Sequence, residues 1–281
     1  MLLVTGATGT VGPHVVHELL DIGETVRLGH RRPHAAQSDL ADSTEVVPFD
    51  FEKPETWSDA LAGVDGIFLL RPPGVSADTV ASFVDAAART GTDRVVYLSG
   101  IGSGWNPMNS HFWSERRVAA ADVEYTFLRA SYFAQNLIRY HATEIAERGE
   151  LVAPVGDGAV SFVDARDIGA VAATVLTEGG HADTAYTITG PAALDFATVA
   201  AVLSDVLGHR IDYVPRSLPR FALETYRQGN SSVLLSTIYT AARIGLADTV
   251  TTDVRSVLDR EPRDLRTFVQ ANAESFRPEG P

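Results

Sequence analysis

The 281-residue chain contains no cysteine and a single lysine, Lys53. Without thiols there is no disulfide, no thiolate nucleophile, no cysteine metal site and no thiol redox chemistry. Positive charge is also scarce. Lys and Arg number 23 against 36 Asp and Glu, a formal net charge of −13. A nucleic-acid footprint is basic, so this balance argues against a general nucleic-acid partner. No apolar run of about 18 residues is free of charge, so no membrane span is expected. Neither a basic leader region nor a cleavage site precedes the first glycines. Chemical signatures are missing too. There is no G-x-S-x-G and no phosphate-loop lysine. Among the eight histidines only His30 and His34 have H-x-x-x-H spacing, in a turn beside two arginines that would repel a cation. The expectations are a cytoplasmic protein, monomer or homodimer, with no metal, no nucleic acid and no membrane among its partners.

What is present is a globular composition. Apolar residues make up 45% and charged residues 21%, enough for a large α/β domain with a smaller lobe. Residues 2–5 form an apolar run closed at once by glycine, the signature of a buried parallel strand. Further strands read at 25–30, 44–50, 65–74, 93–104 and within 123–133. Helical periodicity follows the first (Val15, Val16, Leu19, Leu20), and 78–91 is a helix closed by glycine. Strand alternating with helix predicts a doubly wound parallel sheet. After Gly149 the pattern changes to short strands (GELVAP, VSFVD, AYTITG, RIDYVP) among helices at 197–207, within 217–249 and after Pro262. The reading is a core over 1–150 and a substrate-covering lobe over 151–281, with some segments returning to the core. The aspartate-rich GDGAVSFVDARD reads as a turn, a strand and a helix cap rather than a metal site.

The segment TGATGTVG places Gly6, Gly9 and Gly12 between the first strand and the first helix. One glycine allows the tight turn, the next a close approach to a pyrophosphate, the third close packing of helix on strand. The helix start then offers free N–H groups and a positive dipole end. Thr8 and Thr10 add hydroxyls. The second strand ends in GHRRPH rather than in an acidic residue. Arg31 and Arg32, with His30 before them, suit a 2′-phosphate by charge and fork geometry, and point to NADP(H). Asp50, at the end of the third strand, is either an acceptor for the adenine amino group or a turn aspartate.

LLVTGATGTVG, VRLGHRRP, FDFEKPETWSDALAGVDGIFLL, RVVYLSG and VEYTFLRASYFAQN together resemble the NmrA-like group of atypical (extended) short-chain dehydrogenases/reductases. The similarity is greatest to its NAD(P)H:quinone oxidoreductase and ergot-type reductase branches. It runs over most of the chain and is firmest through about Asn136. It implies a Rossmann domain with Gly6, Thr8, Gly9, Thr10, Val11 and Gly12 on the pyrophosphate. It further implies Arg31 or Arg32 on the 2′-phosphate, Asp50 at the adenine, and Leu70, Arg71 and Pro72 near the nicotinamide ribose. Ser99, Gly100 and Ile101 would flank the nicotinamide.

Ordinary short-chain reductases use a Tyr-x-x-x-Lys pair, and this chain has none. Where such enzymes of the NmrA-like group often carry lysine, Arg116 stands. Arginine can hold an oxyanion or a ribose hydroxyl but cannot shuttle a proton near neutral pH. His111 can titrate there, and Ser99 can orient. The catalytic candidates are therefore Arg116, His111 and Ser99. Hydride acceptors that need little acid help, such as a quinone or an iminium, remain open. Ile101, Trp105, Trp113, Tyr132, Phe133 and Asn136 fall near the expected carboxyl edge of the sheet, where aromatic side chains suit a flat conjugated substrate. The leading expectation is an NADPH-dependent reductase of a small aromatic or conjugated carbonyl, quinone or imine-like compound. A non-catalytic, dinucleotide-sensing regulator and a cofactor-retaining isomerase or epimerase are the alternatives.

Overall fold

A computed structural model describes residues 1–32, 44–227 and 232–278. In chain order, the elements are β1 (Leu2–Thr5), α1 (Gly12–Asp21), β2 (Val26–His30), β3 (Glu45–Pro48), α2 (Trp57–Leu61), β4 (Gly66–Leu70), α3 (Ala77–Arg89), β5 (Arg94–Gly100), α4 (Phe112–Val118) and β6 (Glu124–Ala130). They continue as β7 (Tyr132–Phe133), α5 (Gln135–Arg148), β8 (Glu150–Ala153), β9 (Ala159–Val163), α6 (Ala165–Thr177), β10 (Thr184–Ile188), β11 (Ala193–Asp195), α7 (Phe196–Leu207), β12 (Asp212–Pro215), α8 (Leu218–Arg227), α9 (Ser232–Arg243), α10 (Asp253–Leu258) and α11 (Leu265–Ala271).

The chain forms two compact units. The first comprises Met1–Ala130, Ala165–Ile188 and Asp253–Arg260. Its seven-stranded sheet has the order β10-β6-β5-β4-β1-β2-β3, and every pairing in it is parallel. All carboxyl ends therefore lie on one edge. The strand order reverses between β1 and β4, and a ligand crevice opens at such a point. β1 is buried at all four residues between β2 and β4, which is why it reads as unbroken apolar sequence. One face of the sheet carries Phe49, Phe51, Trp57, Phe83 and Tyr97. On α6, Gly169 is forced by proximity: a Cβ there would lie 2.6 Å from His14 Cβ on α1.

Two sequence expectations change here. AYTITG, read as a strand of the second part, is β10 and completes the main sheet beside β6. The strand expected within 123–133 is two strands. Glu124–Ala130 stays in the main sheet, whereas Tyr132–Phe133 pairs with β9. The break falls at Ser131, whose hydroxyl donates to the Ser161 carbonyl at 2.8 Å. The short strand β11 had no legible alternation.

The second unit comprises Ser131–Asp164, Thr189–Thr252 and Glu261–Pro281. It holds a three-stranded sheet, β11-β9-β7, and the parallel pair β12-β8. Its core gathers Tyr132, Phe162, Phe196, Leu203, Tyr239, Phe268 and Phe276. The apolar face expected after Pro262 is present, with Leu265, Phe268 and Val269 all buried on α11. The helix expected at 197–207 is α7, closed by left-handed Gly208. Within 217–249, α8 and α9 are helical as the pattern predicts, and 228–231 lie outside the described residues.

Candidate active site

The glycine turn sits where the strand order reverses. Gly6 has φ +66°, a conformation that L side chains rarely adopt, and the Leu70 side chain of β4 packs on it. Gly12 has no room for a side chain: a Cβ there would lie 2.2 Å from the Gly6 carbonyl oxygen and 2.7 Å from Ala7 Cα. The third glycine thus closes the turn on itself. α1 begins at Gly12 with no side-chain cap and no acidic residue in its first turn, and Pro13 occupies the start. His14 N and Val15 N donate to Val11 O at 3.0 and 3.2 Å and Pro13 has no N–H, so the Gly12 N–H and the positive end of the helix dipole are what this end offers an anion. Thr8 and Gly9 are exposed, Thr10 half-buried and Val11 buried.

His30 ties the end of β2 to this turn. Its Nε2 lies 3.3 Å from Thr8 Oγ1. Its Nδ1 meets the Arg32 backbone, 3.0 Å from N and 2.8 Å from O, the tautomer deciding which contact is made. Arg31 and Arg32 are exposed beside it. His34 lies outside the described residues. Asp50 Oδ1 accepts from the Glu52 N–H at 3.1 Å, the turn-aspartate arrangement.

At the carboxyl ends of β4 and β5 a second group assembles. Tyr97 and Ser99 project from the same face of β5, and His111, Ser114, Glu115 and Val118 share one face of α4 and its cap. Two polar layers result. In one, the buried Ser99 hydroxyl donates to Glu115 Oε1 at 2.6 Å, and Arg129 of β6 grips the same carboxylate through Nε at 3.0 and 3.2 Å and Nη2 at 2.7 Å. Gly104 makes room for this: a Cβ there would lie 2.7 Å from Arg129 Nη1. In the other layer, the fully buried Tyr97 hydroxyl lies 2.7 Å from His111 Nδ1. Burial raises the Tyr97 pKa. Burial and the nearby Arg71 cation lower that of His111 to about 4. Arg71 follows β4 and donates from Nη1 to Val75 O at 2.6 Å and from Nη2 to Ser110 O at 3.0 Å. Its Nε is sealed without a partner, as is Ser114 Oγ.

Several expected roles shift accordingly. His111 does not titrate near neutral pH, because burial and Arg71 keep the ring neutral. Ser99 spends its proton on Glu115. Arg116 is exposed, with its guanidinium 3.6 Å over the Phe112 ring, and it is Arg129 that pairs with Glu115. Gly100 and Ile101 stand at the β5 edge, half-buried, with Ile101 N donating to Ala130 O at 2.9 Å. The Leu70 N–H donates to Thr5 Oγ1 at 2.8 Å, and Pro72 is half-buried. Trp105 and Trp113 are 68% and 56% exposed. Tyr132 is a core residue of the second unit, its hydroxyl 3.0 Å from that of Tyr239, and not a surface for substrate. Phe133 and Asn136 are half-buried in that same unit. Among the described residues no cluster of metal-ligating side chains occurs, and no helix is long and apolar enough to cross a membrane. The sequence reading passed over Tyr97 and Arg129. Their only signal was strand position, with Tyr97 two residues before Ser99 and Arg129 opposite it on the neighbouring strand.

A parallel sheet with an uncapped helix start at its switch point and polar groups at the next carboxyl ends defines a class, the NAD(P)H-dependent oxidoreductases of atypical short-chain type. The chain belongs to the NAD(P)H-binding family, whose model matches residues 6–179, within the NmrA-like branch of that superfamily. It is 34% identical over 286 residues to the NAD(P)H azoreductase of Xenophilus azovorans, covering 98% of this chain and 99% of that one. Its fold is similar to the NADPH-dependent quinone oxidoreductase of Escherichia coli in complex with NADPH. The TM-score is 0.87 at 25% identity, over 97% of this chain and 100% of that one. It is also similar to the triphenylmethane reductase of a Citrobacter species complexed with NADP(H). There the TM-score is 0.83 at 25% identity, over 96% and 99% of the two chains.

Proposed function

We propose that the protein is an NADPH-dependent reductase of flat, conjugated acceptors such as quinones, azo compounds or delocalised cations. The observation that carries this is the Gly6–Gly12 turn, whose geometry excludes a Cβ at Gly12 and leaves the start of α1 without a side-chain cap or an acidic residue, beside the polar ends of β4 and β5. The azoreductase, the quinone oxidoreductase and the triphenylmethane reductase support the acceptor class, because each is named for an electrophile of this kind.

The turn and the α1 N-terminus would hold the pyrophosphate, and Arg31 and Arg32 the 2′-phosphate, with His30 fixing the turn that carries them. Leu70, Arg71 and Pro72 would line the ribose, and Ser99, Gly100 and Ile101 the nicotinamide. When bound, the dinucleotide supplies a hydride. The chain's part is to orient the acceptor and to meet the negative charge that arrives on its heteroatom. His111 stands at the β5 edge as a neutral polar group, and Arg71 contributes fixed positive charge close by. Glu115, Ser99 and Arg129 hold α4 in register beneath them. The missing Tyr-x-x-x-Lys pair is consistent with acceptors whose reduced forms are stabilised anions or neutral products. The anions take their proton from water, and the neutral products of cationic acceptors need none.

The test is NADPH consumption with a panel of quinones, azo dyes and triarylmethane cations, beside NADPH and NADH affinities by calorimetry. Turnover with at least one acceptor class and a preference for NADPH are expected. Tight NADPH binding with no turnover on any acceptor would overturn the enzymatic reading in favour of a dinucleotide-sensing regulator.

A further inference from the structure

We infer that Tyr97 is a positioning residue that locks His111 in its Nε2–H tautomer, so that a neutral hydrogen-bond donor, not an acid, faces the acceptor at the β5 edge. The inference rests on the reductase reading above for the identity of the acceptor. It rests on the structure alone for the tautomer.

Five observations carry it. The Tyr97 hydroxyl is 2.7 Å from His111 Nδ1 and buried, so one of the two must donate to the other. His111 Nδ1 is the one hydrogen-bond partner of that sealed hydroxyl among the described residues. A ring that donated would strand the phenol proton in the interior, whereas a phenol that donates to His111 Nδ1 leaves no buried donor unmet. The ring's remaining proton is then on Nε2. That nitrogen has no partner among the described residues and is absent from the sealed, unpartnered atoms, so it is open. The ring edge it belongs to passes Gly100: a Cβ on that glycine would lie 3.8 Å from His111 Cδ2. Asn109 fixes the approach, its Oδ1 accepting from His111 N at 2.9 Å while its Nδ2 donates to Ile101 O at 3.0 Å.

The charges around the ring agree with a donor role. Arg71 faces both His111 and Tyr97, and Glu115 faces Tyr97 from α4. A proton added to the imidazole would sit beside the Arg71 cation, so the ring stays neutral through ordinary pH. In the reaction, the hydride and its electron pair pass to the acceptor carbon or nitrogen. The acceptor's π pair moves onto its heteroatom and is met by the Nε2–H. Water supplies the proton that finishes the product, and His111 ends as it began. For a quinone or an azo acceptor the balance is acceptor, NADPH and one proton going to reduced product and NADP+; a delocalised cation takes the hydride alone and needs no proton.

Two readouts test this. The first needs no turnover: 15N-edited NMR of the His111 ring in the full-length protein at neutral pH. A single neutral species protonated at Nε2 is expected in the wild type, and a mixture of tautomers in Tyr97→Phe. The second is steady-state kinetics with NADPH and a quinone acceptor. Tyr97→Phe is expected to lower kcat on the order of tenfold with the NADPH KM unchanged, His111→Ala on the order of a hundredfold. His111→Gln, whose amide N–H stands in for Nε2–H but cannot act as an acid, should recover much of that loss. A wild-type ring protonated at Nδ1, or a Tyr97→Phe ring identical to the wild type, overturns the inference. So does His111→Gln as inactive as His111→Ala. Absence of turnover in the wild type strikes the reductase reading instead and leaves the tautomer to the NMR result.

Discussion

The molecule contains a tyrosine–histidine hydrogen bond twice, through Nδ1 of His111 and through Nε2 of His141. In the first unit Tyr97 meets His111 at 2.7 Å, and in the second Tyr239 meets His141 at 2.7 Å. Both histidines are driven to a pKa of about 4. The causes differ. For His141 the cause is burial alone, and the pair continues inward to Tyr132, whose hydroxyl is 3.0 Å from that of Tyr239. For His111 burial is joined by a neighbouring cation, Arg71, and one ring nitrogen stays open. A pair sealed within a core specifies packing. A pair with one open nitrogen at a strand's carboxyl end can face a ligand. The distance and residue types are identical, so the surroundings and the ring nitrogen engaged separate structure from chemistry.

The largest effect expected lies under the first pair. Removing Glu115 strands the Arg129 guanidinium and the Ser99 hydroxyl, a broken buried ion pair. Glu115→Ala should cost about 3–5 kcal/mol of stability in urea unfolding, with Arg129 keeping some solvent contact and so favouring the lower end. A loss below about 1 kcal/mol would mean that α4 is held by its apolar contacts, and that the clamp does not anchor the site.

Next comes pH. A histidine near 6.5 when unfolded and about 4 when folded binds its proton more readily in the unfolded chain between those values. Its contribution is therefore complete above pH 6.5 and is lost as pH falls from 6.5 to about 4. Each histidine accounts for about 3 kcal/mol at most. Urea midpoints measured across that window should fall with pH. His141→Gln should remove the second unit's share and leave His111's in place. A wild-type curve flat across the window would break the likeness between the two pairs.

The two pairs also mark what was legible in the sequence. The glycine turn, six of the main strands and the helix read at 78–91 carry local signals, namely apolar runs and glycine closures. The fold followed from them. The Ser99–Glu115–Arg129 clamp joins three elements, and nothing local marks Arg129 as its third member. Arg116 drew attention because it occupies a family position, but helical phase turns it to solvent and puts Glu115 inward. Tyr132 stands beside expected ligand residues in sequence, yet the chain changes sheets at Ser131 and carries it into another core. Tyr97 read as one more apolar strand residue, because its hydroxyl's partner is brought by a loop 14 residues away.

Exchanging substitutions between the pairs sharpens the comparison most directly. His111→Ala should lower kcat/KM about a hundredfold, near 2.7 kcal/mol, with a small change in stability. His141→Ala should do the reverse, lowering the urea midpoint while the folded fraction turns over at the wild-type rate. If both variants lose turnover equally at matched folded fraction, the open nitrogen has no special part.

A third histidine gives the smallest and most selective effect. His30 is hydrogen-bonded at both ring nitrogens but half-exposed, and it joins Thr8 of the glycine turn to the Arg32 backbone. Its setting is neither a sealed core nor an open site edge, and its bonds fix where Arg31 and Arg32 are presented. If those guanidinium groups meet a 2′-phosphate, replacing both with serine should raise the NADPH KM about tenfold or more, roughly 1.4 kcal/mol, and leave the NADH KM unchanged. His30→Ala should act in the same direction and more weakly, since it loosens the turn without removing charge. Equal losses with NADH and NADPH would show that the turn shapes the dinucleotide site as a whole. The basic pair at the end of β2 would then be an ordinary solvated turn.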